Sequence, residues 1–507
     1  MSVLDNGSVG YNEFMSATAL RSIDELHRLA SSKLDPDRRV AFGQFMTPSS
    51  IANFMASLFQ RWPGHIQLLD PGAGVGSLTE AFATRFTSQA PAGARLDITA
   101  YEVDPTLERY LRENLEALKA RLHGSGRMVS AAVLKRDFID DVTFELSFAR
   151  RRYTHTILNP PYKKIGASSD YRMRLRSVGI ETGNLYSAFL ALSVALTKAG
   201  GEIVAIVPRS FCNGTYFRPF RSWLLDRVAL KHIHVFESRK KAFQDDNVLQ
   251  ENVIIHLERD CAQGPVTVSV SHDPSFSDYT EQRIPFERIV KPSDPEKFIH
   301  IPTIEVDGAE SLFVHTLREL GLDVATGPVV DFRLRHHLSA EPTKKSAPLL
   351  YAHHFAGGEF RWPREHRKPN AIAINDATRK WLMPRGWYTV TKRFSSKEER
   401  RRLVAHVVDP RRLPQQLYGF ENHLNVIHAG KKGLTPLLAH GLALFLNSTI
   451  IDTHFRSFSG HTQVNATDLR AMRFPSKAVL LKLGRWARKQ RKITQEQIDS
   501  FIETYGG

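Results

Sequence analysis

Four short apolar runs, each carried forward by a polar loop and the next three divided from the last by helical pattern, restrict what the first half of this chain can become. They are Ile66-Gln67-Leu68-Leu69-Asp70, Leu96 to Glu102, Met128 to Leu134 and Thr156-Ile157-Leu158. Between them lie Ser77 to Phe86 and a longer stretch with Leu107, Leu111, Leu115 and Leu118 on one helical face. Strands separated by helices cannot close as hairpins, so they pair in parallel through crossovers, which run right-handed. The expected fold class is α/β, a doubly wound parallel sheet. The pattern continues through a helix over Leu185 to Lys198, a strand over Glu202 to Pro208 and a helix over Tyr216 to Leu225. Strands at Leu230 to Phe236 and Asn252 to Leu257 would close the sheet.

Open sheets of this kind bind ligands beyond the carboxyl ends of their strands, so the residues there are the candidate site. After the first strand, Asp70 is followed by Pro71-Gly72-Ala73-Gly74-Val75-Gly76 and then a helix. Glycines let the backbone approach a ligand and leave helix-start N–H groups to bind it. The spacing is G-x-G-x-G rather than the G-x-G-x-x-G of dinucleotide enzymes, which favours S-adenosylmethionine over NAD. The second strand ends in Glu102, about 30 residues beyond the loop, where an acid can accept both ribose hydroxyls. After the third, Asp137 and Phe138 either receive an adenine amine and flank its ring or cap the next turn. Thr47 and Pro48 suit the start of a helix over Ile51, Phe54, Met55 and Leu58.

The fourth run stops at Asn159-Pro160-Pro161-Tyr162. Prolines lack the backbone N–H and restrain the residue before them, so neither sheet nor helix continues there. The loop presents an amide, a carbonyl and an aromatic ring, a set suited to a flat amine-bearing base. Asn159 Oδ1 and the Pro160 carbonyl can accept the two hydrogens of adenine N6 while Tyr162 stacks on the ring. The alternative is a turn with a buried tyrosine. Phe211, just beyond the fifth strand, is either a base contact or core packing.

A net charge of +16 and an isoelectric point near 9.8 favour a polyanionic partner. Two cysteines without CxxC spacing disfavour a metal site and fit a reducing compartment; with no signal-peptide pattern and no long apolar run, the chain reads as cytoplasmic. Residues 1–40 read as an N-terminal helical segment with periodicity over 12 to 31, 41–260 as the catalytic domain and 261–299 as a linker or transition, with a strand over Pro265 to Val270 and a break at Pro292-Ser293-Asp294-Pro295. Residues 300–507 read as a mixed α/β domain. Basic and aromatic residues interleave there at His354-Phe355, Phe360-Arg361-Trp362, Trp387-Tyr388 and Lys392-Arg393-Phe394, as on nucleic-acid surfaces. The run Lys397 to Arg402 reads as a solvated helix face. His336, His337, His353 and His354 lack ligand spacing and are expected at the surface or on bases. Thr494 and Gln497 have capping-box spacing before a last helix.

From residue 40 to 260 the order of these pieces resembles the gamma-class adenine-N6 DNA methyltransferases of bacterial restriction-modification systems. That resemblance implies a Rossmann-like S-adenosylmethionine-dependent sheet followed by a DNA target-recognition domain. It assigns Thr47, Pro48, Asp70, Gly72, Gly74, Gly76, Glu102, Asp137 and Phe138 to the cofactor. Asn159, Pro160, Pro161 and Tyr162 fall on its catalytic motif, and Phe211 on an aromatic that helps hold a flipped base. Ser459 to Leu469 and Arg393-Phe394-Ser395-Ser396 resemble the XhoI-like branch. The implied partner is double-stranded DNA, with room for a separate cognate restriction endonuclease; no PD-x(n)-(D/E)-x-K run supports a fused nuclease. Competing readings are methyl transfer to RNA or to a protein glutamine, and a non-catalytic DNA-binding subunit.

Overall fold

The computed structural model describes residues 46–124, 126–146, 151–236, 251–292, 294–302, 314–358, 360–395, 399–413, 415–458, 463–490 and 492–505, with Leu29, Ala30 and Lys33. The helix expected over 12 to 31 lies almost wholly outside them. The chain divides into two compact units, Met1–Thr303 and Ile304–Gly507.

The first unit is built on a nine-stranded sheet: β1 (His65–Pro71), β2 (Arg95–Tyr101), β3 (Met128–Leu134), β4 (Tyr153–Leu158), β5 (Thr197–Pro208), β6 (Val228–Phe236), β7 (Asn252–Arg259), β8 (Val266–Ser271) and β9 (Thr280–Ile284). The order is β3-β2-β1-β4-β5-β7-β6-β8-β9. The first five strands are parallel, as expected, and β7 runs antiparallel between β5 and β6, so the whole sheet is mixed. Flanking helices are α1 (Ser49–Ser57), α2 (Ser77–Gln89), α3 (Pro105–Gly124), α4 (Phe138–Leu146), α5 (Asp170–Ser177), α6 (Leu185–Leu196) and α7 (Arg218–Leu225). Successive β5 side chains face opposite layers. Ile203, Ala205 and Val207 pack with α4, α6 and α7. Val204 and Ile206 pack with α1, α2 and α3. Strands covered on both faces read as continuous apolar runs, which is why they were legible.

Residues 261–299, expected as a linker, carry β8 and β9 of this same sheet. Beyond them Val290 pairs with Ile299, and the fully buried Arg221 of α7 donates to the Glu296 carbonyl and lies 4.9 Å from the Phe298 ring. Pro292 and Asp294 to Pro295, on either side of a residue outside the described ones, belong to the first unit. Local composition marks the break but does not show the nonlocal Arg221 anchor.

The described residues of the second unit form two sheets. One is antiparallel, β10 (Asp323–Thr326), β18 (Leu424–His428), β15 (Tyr388–Lys392) and β16 (Ala405–Val408) in that order. The other is β11 (Leu338–Ser339), β13 (Ala371–Ala373), β12 (Ser346–Leu350), β17 (Leu417–Phe420) and β14 (Leu382–Pro384). Helices α8 (Pro436–Leu446), α9 (Thr449–Phe458), α10 (Ala466–Ala471), α11 (Lys477–Ala487) and α12 (Gln495–Tyr505) complete it. α8 and α11 touch backbone to backbone, because a Cβ on Gly441 would meet the Leu480 carbonyl at 1.9 Å and one on Gly484 the Leu437 carbonyl at 1.8 Å. Thr494 and Gln497 form the expected reciprocal cap of α12. The run ending at Arg402 is not a solvated helix face in its described part. Arg402 is 1% exposed and donates to Ser395 Oγ, and Arg401 donates to the Ser448 carbonyl at 2.5 Å, so these charges tie segments together.

The two stretches likened to the XhoI-like branch meet in space. Val464 N–H donates to the Arg393 carbonyl at 2.7 Å and Arg393 Nη2 to Gln463 Oε1 at 3.2 Å. Asn465 and Asp468 form a capping box on α10. Residues 459–462 lie outside the described residues.

Candidate active site

The chain turns outward from β1 to β3 and then returns to start β4 on the other side of β1, so the carboxyl ends of β1 and β4 flank the switch point. A cleft opens there. Of the residues singled out in the sequence, Thr47, Gly72, Gly74, Glu102, Asp137, Phe138, Asn159 and Pro161 line it.

The glycine loop is held from below and from the next strand. Gly72 and Ala73 N–H groups donate to the Tyr101 carbonyl at 2.9 and 2.8 Å, and Gly74 N–H donates to Glu102 Oε2 at 2.9 Å. Gly76 has φ +92°, and a Cβ there would stand 2.9 Å from Leu111 Cδ1. Gly76→Ala is therefore expected to cost about 1–3 kcal/mol, the range for a strained backbone position. Urea unfolding that leaves the midpoint unchanged would contradict that reading.

Asp70 is fully buried and does not line the cleft. Its Oδ2 accepts from Thr79 Oγ1 at 2.7 Å, which pins the start of α2, and burial pushes the carboxyl up to about 7. The acid expected at the cofactor thus acts beneath the loop. Glu102, 6% exposed, faces the cleft. Its Oε1 accepts from Asp104 N–H at 2.9 Å and burial, only partly offset by such N–H donors, pushes it up to about 7.

Asp137 makes the turn cap that was one of its sequence readings, and it stands at the cleft. Its Oδ1 accepts from Asp140 N–H at 3.0 Å as a helix cap, and it also lines the cleft, where Oδ2 accepts from Tyr171 Oη at 2.6 Å. Phe138 packs edge-on to Tyr101 at 5.0 Å.

Asn159 is held at both ends of its amide. Nδ2 donates to Thr47 Oγ1 at 3.0 Å, and the Tyr162 hydroxyl donates to Oδ1 at 3.0 Å. Burial raises the Tyr162 phenol well above its ordinary value, so it remains a donor at any working pH. Its ring lies edge-on to Tyr186 at 6.3 Å and, like Pro48, Gly76 and Pro160, is not part of the cleft lining.

Phe211 is 2% exposed and packs edge-on to Phe220 at 6.1 Å in the layer beneath α7. It is a core residue here and does not reach the cleft, so the core-packing alternative applies. The fifth strand's apolar face simply continues into it. Missed by sequence reasoning were Val103, Leu107, Tyr171 and Phe189, which supply apolar walls. Val103, 47% exposed beside a strand-end acid, carried a signal; Tyr171 and Phe189 reach the cleft only through packing.

The residues present fit an adenosyl group: Gly74 has open space where a side chain would stand, Glu102 offers a carboxylate, and Val103, Leu107 and Phe138 offer an apolar slot. Among the described residues there is no group of three or more His, Cys, Asp or Glu able to hold a metal, and no helix long and apolar enough to cross a membrane.

Comparison with known proteins agrees with this geometry. Residues 108–243 match the Eco57I restriction-modification methylase family. The type II methyltransferase M.BsuBI of Bacillus subtilis is 48% identical over 476 residues, 91% of this chain and 93% of that protein. The type II methyltransferase M.PstI of Providencia stuartii is 43% identical over 467 residues, 90% and 92% of the two chains. The structure of the type IIL restriction-modification enzyme MmeI with DNA superposes with a TM-score of 0.51 at 11% identity, covering 98% of this chain and 75% of that one, a likeness of fold. At such identity over nearly its whole length, this chain belongs to the type II methyltransferase family that includes M.BsuBI and M.PstI.

Proposed function

We propose that the protein is the modification methyltransferase of a type II restriction-modification system, transferring methyl from S-adenosylmethionine to N6 of a flipped-out adenine in double-stranded DNA. A separate cognate endonuclease would cut unmodified sites. The observation that carries the reading is the Asn159 amide, fixed between Thr47 and Tyr162 at the rim of a cleft that also holds the glycine loop and Glu102.

The N6 lone pair of adenine is delocalised into the ring and reacts poorly. An amide oxygen accepts more than one hydrogen bond, so Asn159 Oδ1 can take one N6 hydrogen while still holding Tyr162. With the Pro160 carbonyl taking the other, the nitrogen moves towards sp3 and its lone pair is aimed. When bound, the cofactor supplies an electrophilic methyl on a sulfonium. Glu102 is the residue to hold its ribose hydroxyls and Phe138 to flank its adenine. Base flipping is required because N6 in a duplex is tied to its partner base. The test is transfer of labelled methyl to duplex DNA, followed by mass analysis of the digested product. N4-methylcytosine, or label only on RNA or protein, would overturn the assignment.

Two further outcomes follow from Glu102. Glu102→Ala should weaken S-adenosylmethionine binding by about 1.5–3 kcal/mol, the scale of hydrogen bonds to a charged group. The carboxylate can accept from both ribose hydroxyls strongly, whereas the acid gives up one accepting oxygen and all of its charge, and burial pushes the free carboxyl up to about 7. Affinity should therefore fall roughly tenfold from pH 8 to pH 6, by linkage of binding to deprotonation. Burial pushes Asp70 up to about 7 as well. Glu102→Gln separates the two, since calorimetry should show its pH profile flattened if Glu102 is the linked group.

A further inference from the structure

Four stretches far apart in the sequence converge in the C-terminal unit on one recess, walled by Tyr351, His353, His366, Lys368, Phe394 and His423. One of the four, Lys392-Arg393-Phe394, is among the interleaved basic and aromatic stretches that stand out in the sequence, and a second adjoins His354-Phe355. The structure separates the adjacent histidines. His354 is fully buried and bonds the Tyr351 N–H and Asn370 Oδ1, a structural task, whereas His353 faces the recess and stacks on His366 at 3.9 Å. Phe394 is 40% exposed, with its ring 4.9 Å from that of His423.

The polar groups of the recess are unevenly committed. Its carboxylates are taken: Asp331 beside it accepts from Lys368 Nζ at 2.5 Å, and the fully buried Glu421 accepts from the His423 N–H at 2.9 Å and binds its ring at 2.5 Å. Lys392, also in the lining, is held by Glu399 at 3.0 Å. An ammonium has three N–H donors, so one carboxylate leaves each lysine with donating capacity. Two polar atoms of the recess have no hydrogen-bond partner among the described residues, Tyr351 Oη and His353 Nε2, and Tyr351 is 4% exposed. Buried polar groups are nearly always partnered, so such a pair in a recess points to a ligand.

We infer that this recess receives the major-groove edge of a guanine in the DNA target, with Lys368 donating to O6 or N7 and Phe394 covering the base edge. The inference rests on the DNA-modifying reading above and locates part of its sequence choice. Phosphate is the poorer fit because both lysines are already neutralised by carboxylates, so the recess offers directed donors and ring faces instead of net charge. Guanine alone presents two adjacent acceptors in the major groove, O6 and N7, which the donors left on Lys368 match, whereas adenine pairs its one acceptor with an amine and cytosine presents an amine.

The test uses the full-length protein and a randomised duplex library, with bound duplexes selected and sequenced, so that catalysis is not required. Wild type should select a motif containing a guanine whose identity Lys368→Gln no longer enforces, its preference there falling roughly 5- to 100-fold, the discrimination of a good base contact. Phe394→Leu, at an exposed position, should relax the same or the adjacent base and carries the test if Lys368→Gln does not fold. Cofactor binding by each variant should match wild type. An unchanged motif overturns the inference, whether binding is unaltered or falls uniformly with a salt slope smaller by about one, the mark of a lost phosphate contact. Wild type that neither selects nor methylates any duplex would instead sink the DNA-modifying reading itself.

Discussion

Asn159→Ala is expected to leave the fold and cofactor affinity in place and to slow methyl transfer by roughly 10²- to 10³-fold, the loss seen when one positioned hydrogen-bonding group is removed from a site of developing charge. The amide does two things here. It offers the acceptor for an N6 hydrogen, and it links Thr47 to Tyr162 across the mouth of the cleft. Without it the Tyr162 hydroxyl keeps the 3.4 Å contact to the Ile206 carbonyl, so the ring loses a restraint but keeps its place against Tyr186. Base flipping should therefore survive, because the amide hydrogen-bonds N6 and does not stack on the base, and stacking is what offsets unstacking. With 2-aminopurine at the target adenine, Asn159→Ala should still give the fluorescence rise of an unstacked base while single-turnover transfer collapses. Tyr162→Ala should impair both. A full transfer rate in Asn159→Ala would remove the amide from the chemistry.

The largest loss of stability is expected far from the cleft, at Glu202 in the middle of β5. This carboxylate has no exposed surface and accepts from Gln60 N–H at 3.0 Å, Arg61 N–H at 2.9 Å and His256 Nε2 at 2.9 Å, with His155 Nε2 at 3.4 Å. Burial alone would raise its pKa, but the two histidines and the backbone donors outweigh that and hold it well below the usual carboxylate range. Glu202→Ala leaves several buried donors without an acceptor and should cost about 3–5 kcal/mol, the scale for breaking a buried charge network from one side. That is a large share of the roughly 5–15 kcal/mol that holds a typical domain folded. A group whose folded pKa is depressed contributes stability above its unfolded pKa and loses it as pH falls towards the folded value. The advantage of wild type over Glu202→Gln should thus be full above the ordinary value of 4.5 and shrink below it. Denaturant melts across that range would show a constant difference if the network were not ionic. The clamp also bears on the site, because Gln60 and Arg61 follow α1, whose opposite end carries Thr47.

Strand and helix positions in the first unit were readable because parallel strands covered on both faces need continuous apolar runs, and their crossover helices need one apolar stripe. The three glycines at positive φ, Gly72, Gly74 and Gly76, were readable for a related reason, since only glycine takes that backbone cheaply. Glu102 and Asn159 were readable as polar residues placed where a buried strand ends. Phe211 was not, because an apolar residue past a strand end has the same sequence whether it turns into the core or into a cleft. Within residues 261–299 the strand over Pro265 to Val270 was readable and is β8, but its membership of the first unit's sheet was not, because a turn-rich composition describes local backbone and not the sheet edge to which it is bound.

The amino-acid sequence by itself thus determined the alternation of strands and helices, the loop that must be glycine-rich, and the chemistry offered at the strand ends, because each depends on residues within a few positions of one another. Tertiary structure alone decided which of those groups face the same space. Thr47 and Asn159 share a hydrogen bond across 112 residues of sequence, Asp70 is turned beneath the loop while Glu102 is turned into the cleft, and Tyr171 reaches Asp137 from a helix with no mark of its own. Those choices arise from packing between layers, where the direction of a side chain depends on the volume of neighbours that no local pattern records.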